Sequence, residues 1–436
     1  MAKRSELIFR FRKLANFSAL LRVSEMYLKL DTTYFFQSSF FLGLKFAIQS
    51  IAGLIISASI SRFAGPYIFG QFNLFIAIIG IISIVSLPGL NLALIQSTSR
   101  GYTSSLKYAF LGALKYSIIG IPAMLLVALY FFLRGDFAFS YSFLAISFIF
   151  PLIYSTNLFD YFLIGMKNYK KSFFLATVVS AITAISVVVA ISFVKRIDIL
   201  VLSYFLLPTI SSLLITLKLI GSIKYKKKDE DLLRYGKFLT LTASLLPLIA
   251  SYLDKIIVGH FLGVEQLAFY SVSQVFPENL KNMTKVLSFS LIPKISKMSG
   301  DNFLAAIRVH FVKLLIIGSF MATISWILLP LAIEIIFSKT YNYSIDLAKI
   351  SSLSLVTYPL TNVILQKFLA HKNRSELTAY ITLSNLTRII IYIIFIPFYG
   401  LIGLVWGLVL YSFLNLFYLI VNLKLNFFKS TPRNVN

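Results

Sequence analysis

The feature that most constrains this chain is its succession of apolar stretches, each near 20 residues, separated by short polar connections. A helix needs roughly 20 apolar residues to cross about 30 Å of hydrocarbon, and in lipid every backbone polar group has to be satisfied within the helix itself. Hydropathy places such stretches near 36–60, 74–97, 117–133, 141–165, 173–194, 199–221, 238–261, 267–291, 312–337, 347–370, 377–398 and 400–423. The chain is 58% hydrophobic and 13% charged, with a mean hydropathy of +0.84, outside the balance of a soluble domain. The expected class is therefore an all-α integral membrane protein of about twelve transmembrane helices. Little of the 436 residues is left for a soluble domain.

The net charge of +25 would suit a nucleic-acid binder, but the charges are placed differently. If both termini lie in the cytoplasm, the inner segments carry 27 of the 41 Lys and Arg residues. The outer segments carry 6, Arg62, Arg134, Lys195, Arg196, Lys339 and Lys349. Cationic loops resist translocation, so this asymmetry predicts cytoplasmic termini and excludes nucleic acid as the reason for the charge. The first 31 residues are too charged for a cleaved signal peptide and read as a basic amphipathic segment on the inner surface. There is no cysteine, and His260, His310 and His371 are scattered, so neither a thiolate site nor a metal site is expected.

The charged stretch 223–237 nearly bisects the chain. The expected organisation is a cytoplasmic segment 1–35, a first six-helix lobe 36–222, the linker 223–237, a second lobe 238–424 and a tail 425–436. An internal repeat supports this reading. FAGPYIFGQFNL at 63–74 aligns with FLGVEQLAFYSV at 261–272 at an offset of 198, pairing Phe63 with Phe261 and Gly65 with Gly263. An even number of helices per half makes the repeat parallel about the membrane normal.

Three segments carry a resemblance to a known family. SRFAGPYIFGQFNLFIA (61–77), LDKIIVGHFLGVEQLAFYSVSQVFPENL with LIPKISKM (253–298) and IPFYGLIGLVWG (396–407) are similar, in order and spacing, to motifs of Wzx-type polysaccharide flippases. These belong to the multidrug/oligosaccharidyl-lipid/polysaccharide exporter superfamily. The resemblance implies two six-helix bundles around a central cavity, worked by alternating access. It also implies an undecaprenyl-diphosphate-linked oligosaccharide as substrate, flipped across a bacterial inner membrane, with membrane lipids, a polymerase and a chain-length regulator as partners. Lipid II flippases of the superfamily usually carry two further helices, so a count of twelve favours the polysaccharide branch.

Eight basic residues remain at membrane depth or near span ends. Lys218, Lys285, Lys313 and Lys367 lie close enough to the inner face to snorkel. Lys45 and Arg388 lie near mid-bilayer, and Lys255 and Lys281 also lie within spans. A cation at the bilayer centre costs roughly 2.5–3.5 kcal/mol on insertion scales, which requires a reason. The functional reading is a cationic cavity for a phosphorylated carrier, and the plain alternative is a buried ion pair. Asp160, Asp254, Glu278 and Glu334 are candidates for coupling to a proton or sodium gradient, with structural pairing as their alternative. The small-residue face Gly403 and Gly407 reads as helix packing. No cofactor is expected, and no Walker motif is present. The competing functions are a drug or cation exporter, whose cavity should be richer in acids, and a membrane polymerase or ligase. The longest outer loop, 338–349, is small for catalysis.

Overall fold

The computed structural model describes residues 32–222, 229–289, 300–370 and 374–430, together with Ile295 and Met298. The expected amphipathic segment, the first part of the charged linker (223–228) and the end of the tail lie outside the described residues.

All regular structure among the described residues is helical. The first half comprises α1 (Thr32–Ile82), α2 (Gly89–Ser99), α3 (Ser105–Ser117), α4 (Gly120–Leu133), α5 (Phe137–Thr156), α6 (Leu158–Gly165), α7 (Tyr169–Phe193) and α8 (Ile197–Ser222). The second comprises α9 (Leu232–Leu239), α10 (Leu245–Phe261), α11 (Val264–Phe289), α12 (Gly300–Phe337), α13 (Asn342–Ser352), α14 (Tyr358–Ala370) and α15 (Arg374–Ser430). Eight helical stretches are long and apolar enough to cross a bilayer. Two of these, Phe40–Ser86 and Leu377–Leu423, have 47 residues each, about 70 Å at 1.5 Å per residue and twice the hydrocarbon thickness. Each is interrupted near its middle, at Gly65 and Gly400. Val264–Phe289, with Glu265, Glu278, Lys281 and Lys285, has 26 residues, long enough to cross, but is not one of the eight.

The connection expected over 61–73 is not a loop. The helix runs through it, broken only at Gly65, whose φ of 78° lies in the region open to glycine. Pro66 follows at a first helical position, where its missing N–H costs nothing. Gly263, the repeat partner of Gly65, has φ of 93°, so both copies turn at the same place. The second expected span, 74–97, is also divided: a short 3₁₀ turn, Ser83–Ser86, leads to left-handed Leu87 and Pro88 before α2 begins.

Three apolar clusters show how the halves meet. One contains residues of both halves, among them Phe69, Phe75 and Phe143 from the first and Phe337, Tyr341 and Leu404 from the second. Tyr341 is its hub, fully buried, with edge contacts to Phe69, Phe269 and Phe337. A second cluster belongs to the first half and α9, and a third to the second half alone.

Between the halves runs a close helix seam. A methyl group at Gly70 would overlap the Val264 carbonyl, one at Gly80 would press on the Tyr252 ring, and one at Gly89 would overlap the Gly236 carbonyl. The partners descend as the glycines ascend, so the first half's second span lies antiparallel to α10 and α9. The Gly89 N–H donates to Thr240 Oγ1 at 3.0 Å, where a π turn, Thr240–Ser244, separates α9 from α10. Gly407 packs on Ile391 and Phe395 across the Gly400 break, so the small-residue face joins the last two spans.

Candidate functional site

Two cavities lie on either side of Tyr252, whose side chain lines both. The larger, about 560 Å³, is built by α10, α11, α13, α14 and α15. Its charged wall consists of Lys255, Lys281, Arg388 and Glu278.

The helical period explains this convergence. Gln274, Glu278 and Lys281 are spaced i, i+4, i+7, which puts them on one face of α11. Gln274 is held by its amide donating to Ser351 Oγ at 2.7 Å. Asp254 and Lys255, neighbours in sequence, diverge by the roughly 100° that separates successive residues of a helix. Asp254 is buried, accepting a hydrogen bond from the Tyr270 hydroxyl at 2.7 Å and one from the Lys255 backbone N–H at 2.8 Å. Lys255 instead turns to the cavity, its ammonium donating to the Ser251 carbonyl at 3.5 Å and lying 5.8 Å from the centroid of the Tyr252 ring. Arg388 sits over the Tyr392 ring, 5.5 Å from its centroid and one helical turn away.

None of these three cations forms an ion pair among the described residues. Asp254 and then Glu278 are within electrostatic reach of Lys255, Asp254 of Arg388 and Glu278 of Lys281, but among the described residues no carboxylate oxygen comes within ion-pair distance of these cations. Arg388 Nε is buried with no hydrogen-bond partner. A buried donor left unpaired is expensive, of order 1–3 kcal/mol and more for a charged group. Such a wall is suited to binding an anion: three donors of positive charge face one space at membrane depth, with neutral hydroxyls and amides around them.

Lys45 is placed elsewhere. Its ammonium is buried against Asp160 at 2.8 Å and donates to Ser172 Oγ at 3.3 Å. Ser172 in turn donates to the other Asp160 oxygen, and none of the three lines either cavity. Glu334 pairs with Lys339 at 3.4 Å on the surface. The structure thus brings together Arg388, Lys255, Lys281 and Glu278, sets Asp254 just behind them, and separates Lys45, Asp160 and Glu334. Among the described residues no three His, Cys, Asp or Glu side chains are grouped as metal ligands.

The smaller cavity, about 300 Å³, lies in the first half. Its polar lining is Tyr154, Asn157, Thr183, Tyr204, Thr209 and Ser212, with Tyr252 from the second half. Sequence reasoning passed over these residues because a hydroxyl or amide within a span costs little and leaves hydropathy almost unchanged.

Apolar helices in two halves, a seam between them and internal polar cavities define a polytopic membrane protein. The fold is that of the exporter superfamily that includes lipid flippases and multidrug transporters. The structure of "Lipid II flippase MurJ, inward closed conformation" matches with a TM-score of 0.61 at 19% identity, over 86% of each chain. A multidrug resistance MATE family transporter matches in its inward-facing conformation, with a TM-score of 0.64 at 12% identity over 88% of this chain and 96% of that one. An outward-facing MATE structure matches at 0.57 and 13% identity, over 90% and 95%. No curated protein matches the sequence significantly. A family model described as "Polysaccharide biosynthesis protein" matches residues 35–299, well over half of the chain, and the chain belongs to that family.

Proposed function

We propose that this protein flips a lipid-linked oligosaccharide, a saccharide joined through a diphosphate to an undecaprenyl carrier, across the bacterial inner membrane for surface polysaccharide synthesis. The observation that carries the proposal is the wall of Lys255, Lys281 and Arg388, unpaired, on one cavity within the spans. Each cation held at membrane depth is costly, and a diphosphate is the polar group of such a substrate that would offset that cost. Arg388, with its free Nε and forked guanidinium, is assigned the closest phosphate contact. A drug or cation exporter would favour acids, and on this wall Glu278 stands alone against three bases.

In this proposal the chain crosses twelve times: eight apolar stretches, two of them doubled at Gly65 and Gly400, plus α11 and the segment from α13 to α14. Its lobes are 36–222 and 238–424, and both termini are cytoplasmic, as the cationic loops require. Transport then parts the seam between α1–α2 and α9–α10 alternately at its two ends, with no ATP site and with energy from a proton or sodium gradient. Asp254 and Glu278 are the coupling candidates, because Glu278 lines the cavity and Asp254 is buried just behind it. Lys45, Asp160 and Glu334 are assigned to structural pairs.

The test is flux of a fluorescent undecaprenyl-diphosphate saccharide in proteoliposomes. Arg388→Gln should lower the rate by at least about tenfold, the equivalent of roughly 1.4 kcal/mol. Arg388→Lys should recover part of it, since the charge is kept and the fork is lost. Undiminished flux in Arg388→Gln and in Lys255→Gln/Lys281→Gln together would remove the cationic-wall reading.

A further inference from the structure

The charged cavity accounts for the phosphates of such a substrate and leaves its neutral part without a place. We propose that the smaller cavity of the first half is a saccharide subsite, so that the ligand is divided between the halves, with its phosphate in the second and its sugar in the first. This inference rests on the phosphate reading of the larger cavity.

The two chambers differ in chemistry while sharing a wall. Among the described residues no charged side chain lines the smaller one. Its volume of about 300 Å³ lies at the lower end of the roughly 300–1,000 Å³ typical of small-molecule sites, which suits a sugar unit rather than a long glycan. A saccharide presents hydroxyls that both donate and accept, and apolar C–H faces that pack on aromatic rings. The lining supplies both kinds of contact.

Asn157 is exposed to the space, and only one of its amide protons is committed, to the Ile153 carbonyl at 3.1 Å. Its oxygen takes the Ser212 hydroxyl at 3.3 Å and has a second lone pair to offer. Thr183 donates to the Val179 carbonyl at 2.9 Å, which leaves its oxygen as an acceptor. Tyr204 is fixed edge-on to Phe72 and Phe205, at centroid distances of 5.2 and 4.9 Å, so its ring is rigidly presented.

Tyr252 is the shared partition, and its position follows from the seam. The absence of a side chain at Gly80 lets the ring cross to the first half, where it closes the smaller cavity while also lining the larger one. The bipartite site therefore exists only while the seam is closed at this level. Parting the seam withdraws Tyr252 from the sugar chamber, which would couple sugar release to the conformational change.

The test uses the full-length protein in nanodiscs and three probes: polyprenyl diphosphate without sugar, and the same carrier bearing N-acetylglucosamine or galactose. For the wild type, at least one sugared probe should bind more tightly than the bare carrier. Asn157→Ala and Thr183→Val should each weaken that sugared probe about three- to tenfold, as expected for a neutral hydrogen bond, and leave the affinity for the bare carrier unchanged. Arg388→Gln should weaken all three probes. If neither sugar adds affinity, or if the variants weaken bare and sugared probes alike, the saccharide subsite is overturned while the phosphate reading stands. If the bare carrier binds wild type and Arg388→Gln equally, the phosphate reading falls and the divided site with it.

Discussion

Lys45 and Asp160 form a buried ion pair between helices 115 residues apart in sequence, and the energetics of such pairs give a sharp expectation. The Lys45 side chain is 4% exposed and that of Asp160 19%. Removing one partner leaves a charge with little water and, on the acid side, only Ser172 as a donor. Loss of one member of a buried pair costs about 3–5 kcal/mol, whereas replacing both members by neutral groups of similar volume is often close to neutral. Lys45→Met and Asp160→Asn should therefore each destabilise the protein by about 3–5 kcal/mol, and the double variant should return to within about 1 kcal/mol of wild type. The assay is unfolding of the purified protein in mixed micelles with increasing denaturing detergent, with flux measured on the folded fraction of each variant. The coupling energy of the cycle should be several kcal/mol, and flux in the double variant should stay close to wild type. Additive losses would refute the pairing argument. A stable double variant that has lost transport would show that Lys45 meets the substrate after all.

The seam and the connections give further expectations. Gly89→Val would drive methyl groups into the Gly236 carbonyl and the Thr240 backbone, so α2 and α9 should stand apart at that end. Spin labels at Ser99 and Lys237, introduced into a chain with no cysteine of its own, should report a longer and broader distance than in wild type, and an unchanged distribution would contradict the seam. Asp136→Ala removes the cap that accepts the Phe139 N–H at 3.1 Å and the contact with Gln71 at 3.1 Å. The loss should be about 1–2 kcal/mol in thermal unfolding, with Asp136→Asn largely sparing it because asparagine caps nearly as well.

The all-helical, membrane-spanning character of the chain was legible because hydrocarbon is an unforgiving solvent: the backbone has to satisfy itself, so apolar runs mark helices, although not where those helices continue or break. Gly65 and Gly263 were legible as a repeated turn for a similar local reason, since few other residues adopt their φ. What the spans buried was less legible. Lys45 and Arg388 looked alike, each a cation near mid-bilayer, and the sequence offered no way to rank them. Their difference is a tertiary one: folding brings Asp160 into an ion pair with Lys45, while Arg388 lies over the Tyr392 ring and faces a cavity, with Asp254 near but not in contact. Lys255 and Lys281, set on different helices, acquire a common purpose only when α10 and α11 pack side by side. The neutral chamber in the first half was invisible, because hydroxyls scattered over three spans carry no periodic signal until the helices enclose them.

By itself, then, the sequence determined the solvent this chain lives in, the apolar runs that become helices, and the presence of charges too costly to be incidental. Only the tertiary structure decided which charges cancel and which are left facing a space, because desolvation acts on each residue separately, whereas compensation depends on which distant residue packing delivers to it.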